Sequence, residues 1–154
     1  MLSSDSLKEI SNIFCGDTAD FYSYKQGYKL VEFFNSNFGT KDVYRSGFPS
    51  RWVYVHDKLV DLINSHQIDR FFNVVLGKSY LMQEQSLSEV EAAEKSETIY
   101  AEFNRIIHRD LCKITRNNGR YHLVKENDDL EPIGNGGFAN VYRQKSTGLV
   151  VKKL

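Results

Sequence analysis

The sequence predicts an α+β fold: a mainly helical N-terminal module followed by a small antiparallel β unit. Three observations predict it. Apolar residues recur every three or four positions through residue 116, the helical period. After Gly119 the period changes to alternation, the strand period. Capping and stop residues bracket the helical stretches. Composition agrees: of 154 residues, 41% are apolar and 26% charged, which excludes a disordered chain, a collagen-like repeat and a disulfide scaffold.

The elements follow in order. Residues 6–14 place Leu7, Ile10 and Phe14 at spacing three and four, and Gly16 is the stop. From Phe21 to Phe38 the apolar series is Tyr24, Tyr28, Val31, Phe34 and Phe38, ended by Gly39. Residues 40–50, with Gly47 and Pro49, read as a connector. Ser50 is the expected N-cap of a helix starting near Arg51, with Trp52, Val55, Leu59, Leu62 and Ile63 on one face. His66 to Asp69 reads as a break, and the short apolar stretch of Phe71, Phe72, Val74, Val75 and Leu76 stops at Gly77. Ser86 and Glu89 have capping-box spacing and open the longest expected helix. Its apolar stripe is Val90, Ala93, Tyr100, Phe103, Ile107 and Leu111, and Asn117 to Gly119 end it. Glutamates crowd its first half and Arg105, Arg109, Lys113 and Arg116 its second, as the helix dipole favours. Residues 121–126 alternate as a strand. Residues 130–154 read as strand, glycine-rich turn, strand, tight turn at 146–148, strand. The change of period sets the expected domain boundary: a sensing or docking module over 1–120 and a second unit over 121–154.

Twenty basic and twenty acidic side chains give zero net charge. A surface tuned as a whole to nucleic acid or anionic lipid is thereby excluded, although a local patch is not. Cys15 and Cys112 make neither a metal pattern nor a disulfide framework, and read as buried thiols of a reducing cytoplasm. No apolar run is long enough to span a membrane, so no membrane partner is expected. The N-terminus has neither the basic start nor the hydrophobic run of a signal peptide. The four histidines are scattered without metal-ligand spacing, and no metal site is expected.

The strongest motif runs from Ile133 to Tyr142: Ile-Gly-Asn-Gly-Gly-Phe-Ala-Asn-Val-Tyr, followed by Leu149-Val150-Val151-Lys152-Lys153 on the next expected strand. A strand and not a helix follows the glycines, which argues against a dinucleotide-binding fingerprint, and the Gly-Lys-Ser/Thr of a Walker loop is missing. Glycines suit a hairpin whose backbone N–H groups must come close to anionic oxygens. An ordinary glycine-rich hairpin is the competing reading.

These residues resemble the opening of a protein kinase domain, the glycine-rich loop and the strand lysine. The resemblance implies ATP, with magnesium in the full-length protein, bound by Ile133, Gly134, Asn135, Gly136, Gly137, Phe138, Val141, Val150 and Lys152. Phe138 would cap the phosphates and Val141 would cover the adenine. Lys152, after three apolar residues, matches the lysine that contacts the α- and β-phosphates, and is the one catalytic residue expected here. Lys153 would point the other way. Ala139 replaces the third glycine of the pattern, and Val150 stands where the pattern has alanine. Ile107-His108-Arg109-Asp110-Leu111 imitates the kinase catalytic loop, but it precedes the glycine-rich loop and position 115 is Thr instead of the required Asn. No Asp-Phe-Gly occurs. The expectation is therefore the N-terminal segment of a longer, serine/threonine-type protein-kinase-like protein, inactive in phosphoryl transfer by itself.

Residues 31–52 contain Val-Glu-Phe-Phe-Asn, Phe38-Gly39, Asp42-Val43-Tyr44 and Gly47-Phe48-Pro49-Ser50-Arg51-Trp52. Residues 28–76, which carry these runs, resemble the N-terminal domains of bacterial abortive-infection proteins of the AbiJ kind, and the resemblance extends more weakly to Tyr121-His122-Leu123-Val124, covering about residues 5–125. That resemblance implies phage defence. Arg51 and Trp52 are candidates for binding a protein or nucleic-acid partner, against the plainer reading that Trp52 packs in the core and Arg51 holds a neighbouring carbonyl or carboxylate. Arg51 and His56 also have the Arg-x4-His spacing that resembles the ribonuclease motif of HEPN domains, although the usual polar residue after the arginine is Trp52. Arg105, Arg109, Lys113, Arg116 and Arg120 form a candidate phosphate-binding stretch, the first four sharing a helix face in this reading, against the plainer reading of a solvated face. The function expected overall is a kinase-like ATP-binding segment with a docking module. The alternative is a non-enzymatic binding module that carries a kinase-like structural hairpin.

Overall fold

The computed structural model describes residues 1–18, 20–136, 139–145 and 148–153, with side chains over 1–18, 20–127, 143–145 and 148–150. The fold is α+β, as the change of period predicts. Helices α1 (Ser4–Cys15), α2 (Gly27–Phe38), α3 (Arg51–Asn64), α4 (Ile68–Val75), α5 (Lys78–Gln85) and α6 (Glu89–Ile107) come first. Strands β1 (Cys112–Asn117) and β2 (Arg120–Lys125) form an antiparallel hairpin, and β3 (Leu130–Gly136), β4 (Ala139–Gln144) and β5 (Val150–Lys153) form a second antiparallel sheet in that order. Among the described residues no helix is long and apolar enough to cross a membrane.

Aromatic side chains build the helical core. Phe14 packs against Tyr22, Phe33 and Phe71 with ring centroids 5.4, 4.8 and 5.5 Å away. Phe72 meets Phe103 of α6 at 5.8 Å. Each such pair adds about 0.5–1.5 kcal/mol beyond its buried area. Both cysteines are buried and free. Burial in this apolar setting pushes the Cys15 thiol up to about 12, against a smaller downward pull from Arg51.

Several elements differ from the sequence reading. The helix expected from Phe21 begins only at Gly27. Residues 21–26 instead run between α1 and α4: the Tyr22 hydroxyl donates to the Val75 carbonyl of α4 at 2.7 Å, and the Lys25 amide donates to the Cys15 carbonyl of α1 at 3.0 Å. The capping box lies two residues beyond the expected one. Ser88 Oγ accepts from the Glu91 amide at 3.2 Å and Glu91 Oε1 from the Ser88 amide at 3.0 Å, whereas Ser86 terminates α5 in a left-handed conformation. Ser50 does occupy the N-cap position of α3, but its side chain makes no capping bond.

The largest difference is at α6, which stops at Ile107. A 3-10 turn, His108–Asp110, and a left-handed Leu111 (φ 54°) redirect the chain into β1. Strand pairing beats helical propensity here because both edges of the hairpin are covered. On the β2 edge, Asp69 and Asn73, one turn apart on α4, take over the ladder. Asp69 Oδ1 accepts from the Leu123 amide at 2.8 Å, and the Asn73 amide both donates to and accepts from Tyr121 at 2.8 and 2.9 Å. On the β1 edge, Asn104 of α6 accepts from the Ile114 amide at 2.7 Å and the Tyr100 hydroxyl donates to the Ile114 carbonyl at 2.7 Å. Helix side chains thus satisfy edge groups that would otherwise invite another strand. The expected boundary at 120/121 falls at the first residue pair of β2, whose Tyr121 and Leu123 belong to the helical core.

The connector between α2 and α3 is fastened by Asp42. Its Oδ2 accepts from the Tyr54 hydroxyl and from Lys58 Nζ, both at 2.7 Å, while Asn35 holds its backbone amide and carbonyl at 3.0 and 2.9 Å. The bonds from Lys58 and then Tyr54 hold the Asp42 carboxyl below the usual carboxylate range. A lowered folded-state value contributes stability above the ordinary value, and that contribution is lost as pH falls through the folded one. Urea midpoints should therefore fall on acidification, and the fall should be shallower in Asp42→Asn. Parallel curves for the two proteins would dismiss this role.

Candidate functional site

The glycine-rich segment forms the β3–β4 hairpin. Gly134 pairs with Val141, Asn135 with Asn140 and Gly136 with Ala139, and the register shifts between Pro132 and Gly134. In the next ladder Val141 pairs with Lys152 and Arg143 with Val150. One row across the sheet therefore reads Gly134, Val141, Lys152. The β4–β5 turn is closed by the Gln144 amide on the Leu149 carbonyl at 2.8 Å and by Gly148, at φ 76°, on the Gln144 carbonyl at 2.7 Å. Gly137 and Phe138 lie outside the described residues, as do the side chains of Ile133, Asn135, Val141 and Lys152. Val150 is exposed. Among the described residues no group of three or more His, Cys, Asp or Glu gathers.

Arg51 is held on all sides. Its Nε donates to the Lys25 carbonyl at 2.7 Å, its Nη2 to the Cys15 carbonyl at 2.6 Å, and its Nη1 pairs with Asp17 at 2.8 Å. The Tyr24 ring lies 4.0 Å from the guanidinium carbon. Arg51 thus clamps the start of α3 to the end of α1 and to the loop before α2. Trp52 is half-buried, with Lys8 Nζ 4.6 Å from its ring and the His56 ring at 6.1 Å. His56 faces Ser4 Oγ at 3.1 Å and Asp57 at 3.1 Å. Five residues on an α-helix turn through about 140°. Arg51 and His56 are accordingly engaged with different partners.

The basic stripe is dispersed, because its later members lie on β1 and not on a helix. Arg105 pairs with Glu102, Arg109 with Glu9 and Arg116 with Glu97. The Arg116 guanidinium also lies 5.0 Å from the Tyr100 ring. These arginines are used within the fold, which weakens the phosphate-binding reading. Asp110 of the His-Arg-Asp stretch is not a surface charge of a helix. Its Oδ2 accepts from the Ser3 amide at 3.1 Å and from Ser3 Oγ at 3.3 Å, at the N-cap of α1. Burial raises its carboxyl, and hydrogen bonds from Ser6 and Ser3 outweigh that and bring it below the ordinary range.

A second cluster carries no signature in the sequence. Lys25 Nζ is buried and donates to Glu84 Oε1 at 2.9 Å, to the Phe14 carbonyl at 2.9 Å and to the Ser23 carbonyl at 3.2 Å. Phe14 and Tyr22 present their rings to it at 4.5 and 5.0 Å. Burial lowers its proton affinity, while Glu84 works in the opposite direction. The two residues stand 59 positions apart, on the loop before α2 and on α5, so no local spacing joins them. They border a cleft of about 510 Å3 between α2 and α5.

No family model, no curated protein and no solved structure matches the chain.

Proposed function

We propose that residues 130–153 are the opening of a protein-kinase-like ATP-binding lobe and that residues 1–120 dock or sense a partner. The observation that supports this most is the row Gly134, Val141, Lys152 across a three-stranded antiparallel sheet. In this reading the backbone N–H groups of the glycine-rich hairpin approach the phosphates, where a side chain at Gly134 or Gly136 would intervene. Lys152 contacts the α- and β-phosphates as a cation. Ile133, Val141 and Val150 border the adenine. In a complete protein kinase the magnesium–ATP complex supplies the γ-phosphoryl group. Residues 133–152 contribute binding and orientation, and transfer needs a base and metal ligands that they do not include. The AbiJ-like stretch supports a role for the helical module in phage defence. The three hydrogen bonds that Arg51 makes within the fold favour a structural over a partner-binding role for that residue.

Amide NMR spectra recorded with ATP test the reading. Residues Gly134 to Gly136 and Val150 to Lys153 should shift on addition of ATP. Lys152→Met should weaken affinity about tenfold or more, the worth of one charge-assisted contact. Unshifted spectra, or unchanged affinity in Lys152→Met, would transfer the function to the competing class, a binding module whose hairpin is structural.

A further inference from the structure

Glu84 is served unevenly. Its side chain is only 9% exposed. Oε1 accepts two bonds, from the Ser23 amide at 2.8 Å and from Lys25 Nζ at 2.9 Å. Oε2 is cut off from solvent and has no hydrogen-bond partner among the described residues. A buried carboxylate oxygen without a donor is costly, because its hydration is lost without replacement. Such a group in a folded protein needs a reason. Here a reason lies alongside, since Glu84 itself lines the cleft of about 510 Å3, with Ser23, Tyr24, Lys25, Phe33 and Tyr80 among the other walls. Volume and lining suit a small organic ligand: three aromatic rings and a few convergent polar groups. Oε2 is enclosed here, so the carboxylate must turn about its broad terminal torsion for that oxygen to meet a guest in the cleft.

The charges decide what kind of guest fits. Glu84 is already neutralised by Lys25. At the rim Lys29 and Glu32 pair at 3.5 Å, both well exposed. The cleft therefore carries no net charge among these four groups. A cationic guest would have to lose its hydration and sit beside the buried Lys25 ammonium, both unfavourable. An anionic guest would meet Glu84 at the floor. A neutral N–H donor on a flat ring meets neither objection. It satisfies the unserved oxygen with a charge-assisted bond and stacks on the aromatic walls.

We propose that the cleft between α2 and α5 is a binding site for a small, uncharged, planar heteroaromatic compound that donates an N–H to Glu84. The site does not depend on the kinase-like hairpin. Indole is the probe, and N-methylindole is its matched partner of similar shape without the donor. Titrated into the whole chain and followed by amide NMR, indole should shift Ser23, Lys25, Phe33 and Glu84. It should bind about tenfold more tightly than N-methylindole, the equivalent of one such hydrogen bond. Ser36→Trp, at an exposed position of α2 on the cleft rim, should abolish both shifts while the far-ultraviolet circular dichroism stays unchanged. This variant leaves the Lys25–Glu84 pair alone, so the test does not rest on a substitution that endangers folding. Equal affinity for the two indoles, shifts that survive Ser36→Trp, or no shift at all would overturn the proposal. Tighter binding of phenethylamine than of indole would also overturn it, in favour of a cation site.

Discussion

Lys25→Met should cost about 3–5 kcal/mol of stability, the scale expected when one member of a buried ion pair is removed. The substitution keeps most of the apolar stem but leaves the Glu84 carboxylate, 9% exposed, without its cation. It also leaves the carbonyls of Phe14 and Ser23 without their donor. The exposed Lys29–Glu32 pair, at 3.5 Å, serves as the control. Lys29→Met should change stability by about 0.5 kcal/mol or less, as surface pairs do. Lys25→Met combined with Glu84→Leu should recover most of the loss, because no unpaired buried charge remains. Urea unfolding midpoints of the four proteins decide the matter. A Lys25→Met cost as small as that of Lys29→Met would mean that the buried pair does not organise the loop before α2.

Gly16→Ala should be comparably damaging for a different reason. Gly16 ends α1 at φ 81°, and a Cβ there would lie 2.4 Å from the Ser23 carbonyl oxygen and 2.4 Å from the Tyr24 Cα. Both obstacles are backbone, so no side-chain rotation relieves them. The backbone conformation alone costs about 1–3 kcal/mol for a residue with a Cβ, and the clash adds the displacement of residues 23–25. Those residues carry the Arg51 clamp and the Lys25 pair, so the loss should reach at least about 3 kcal/mol by the usual scale of backbone disruption. Gly39 separates the two contributions. It ends α2 at φ 69°, and a Cβ there would meet nothing within 4 Å. Gly39→Ala should therefore cost only about 1–2 kcal/mol, the conformational part alone. Thermal midpoints of the two variants should differ clearly, and equal midpoints would show that the close approach at Gly16 is readily relieved.

Much of the helical architecture is legible in the sequence because its signals are local. Gly16 and Gly39 end α1 and α2 where expected, and α3 starts at Arg51 after Ser50. What stays hidden depends on residues distant in sequence. The apolar stripe running on to Leu111 suggests a longer α6, but the bonds from Asn104 and Tyr100 to Ile114 show why the chain turns into β1 instead. Alternation after Gly119 identifies β2, but not that Asp69 and Asn73 of a helix complete its edge. At the candidate sites the contrast is similar. The glycine-rich hairpin follows from a contiguous motif, but the register shift between Pro132 and Gly134 does not. Nor does the Lys25–Glu84 pair, because Tyr24 and Lys25 sit in a stretch whose helical period conceals a loop. For Arg51 the plainer reading, that it holds a neighbouring carbonyl or carboxylate, agrees with its bonds, but which segments it joins is visible only in the fold.

The bond from the Ser3 amide to Asp110 spans 107 positions, and the Cys112 Sγ also lies 3.9 Å from the Met1 carbonyl oxygen. During synthesis the first turn of α1 is made first and His56 of α3 can meet Ser4 early, yet the contacts from Asp110 and Cys112 to Ser3 and Met1 can form only after α6 is complete. Domains acquire their structure as units while the chain is elongating. The amino terminus is thus a seam that closes fully only late, and a bulky extension fused at Met1 should delay productive folding on the ribosome more than an equal extension after Leu154.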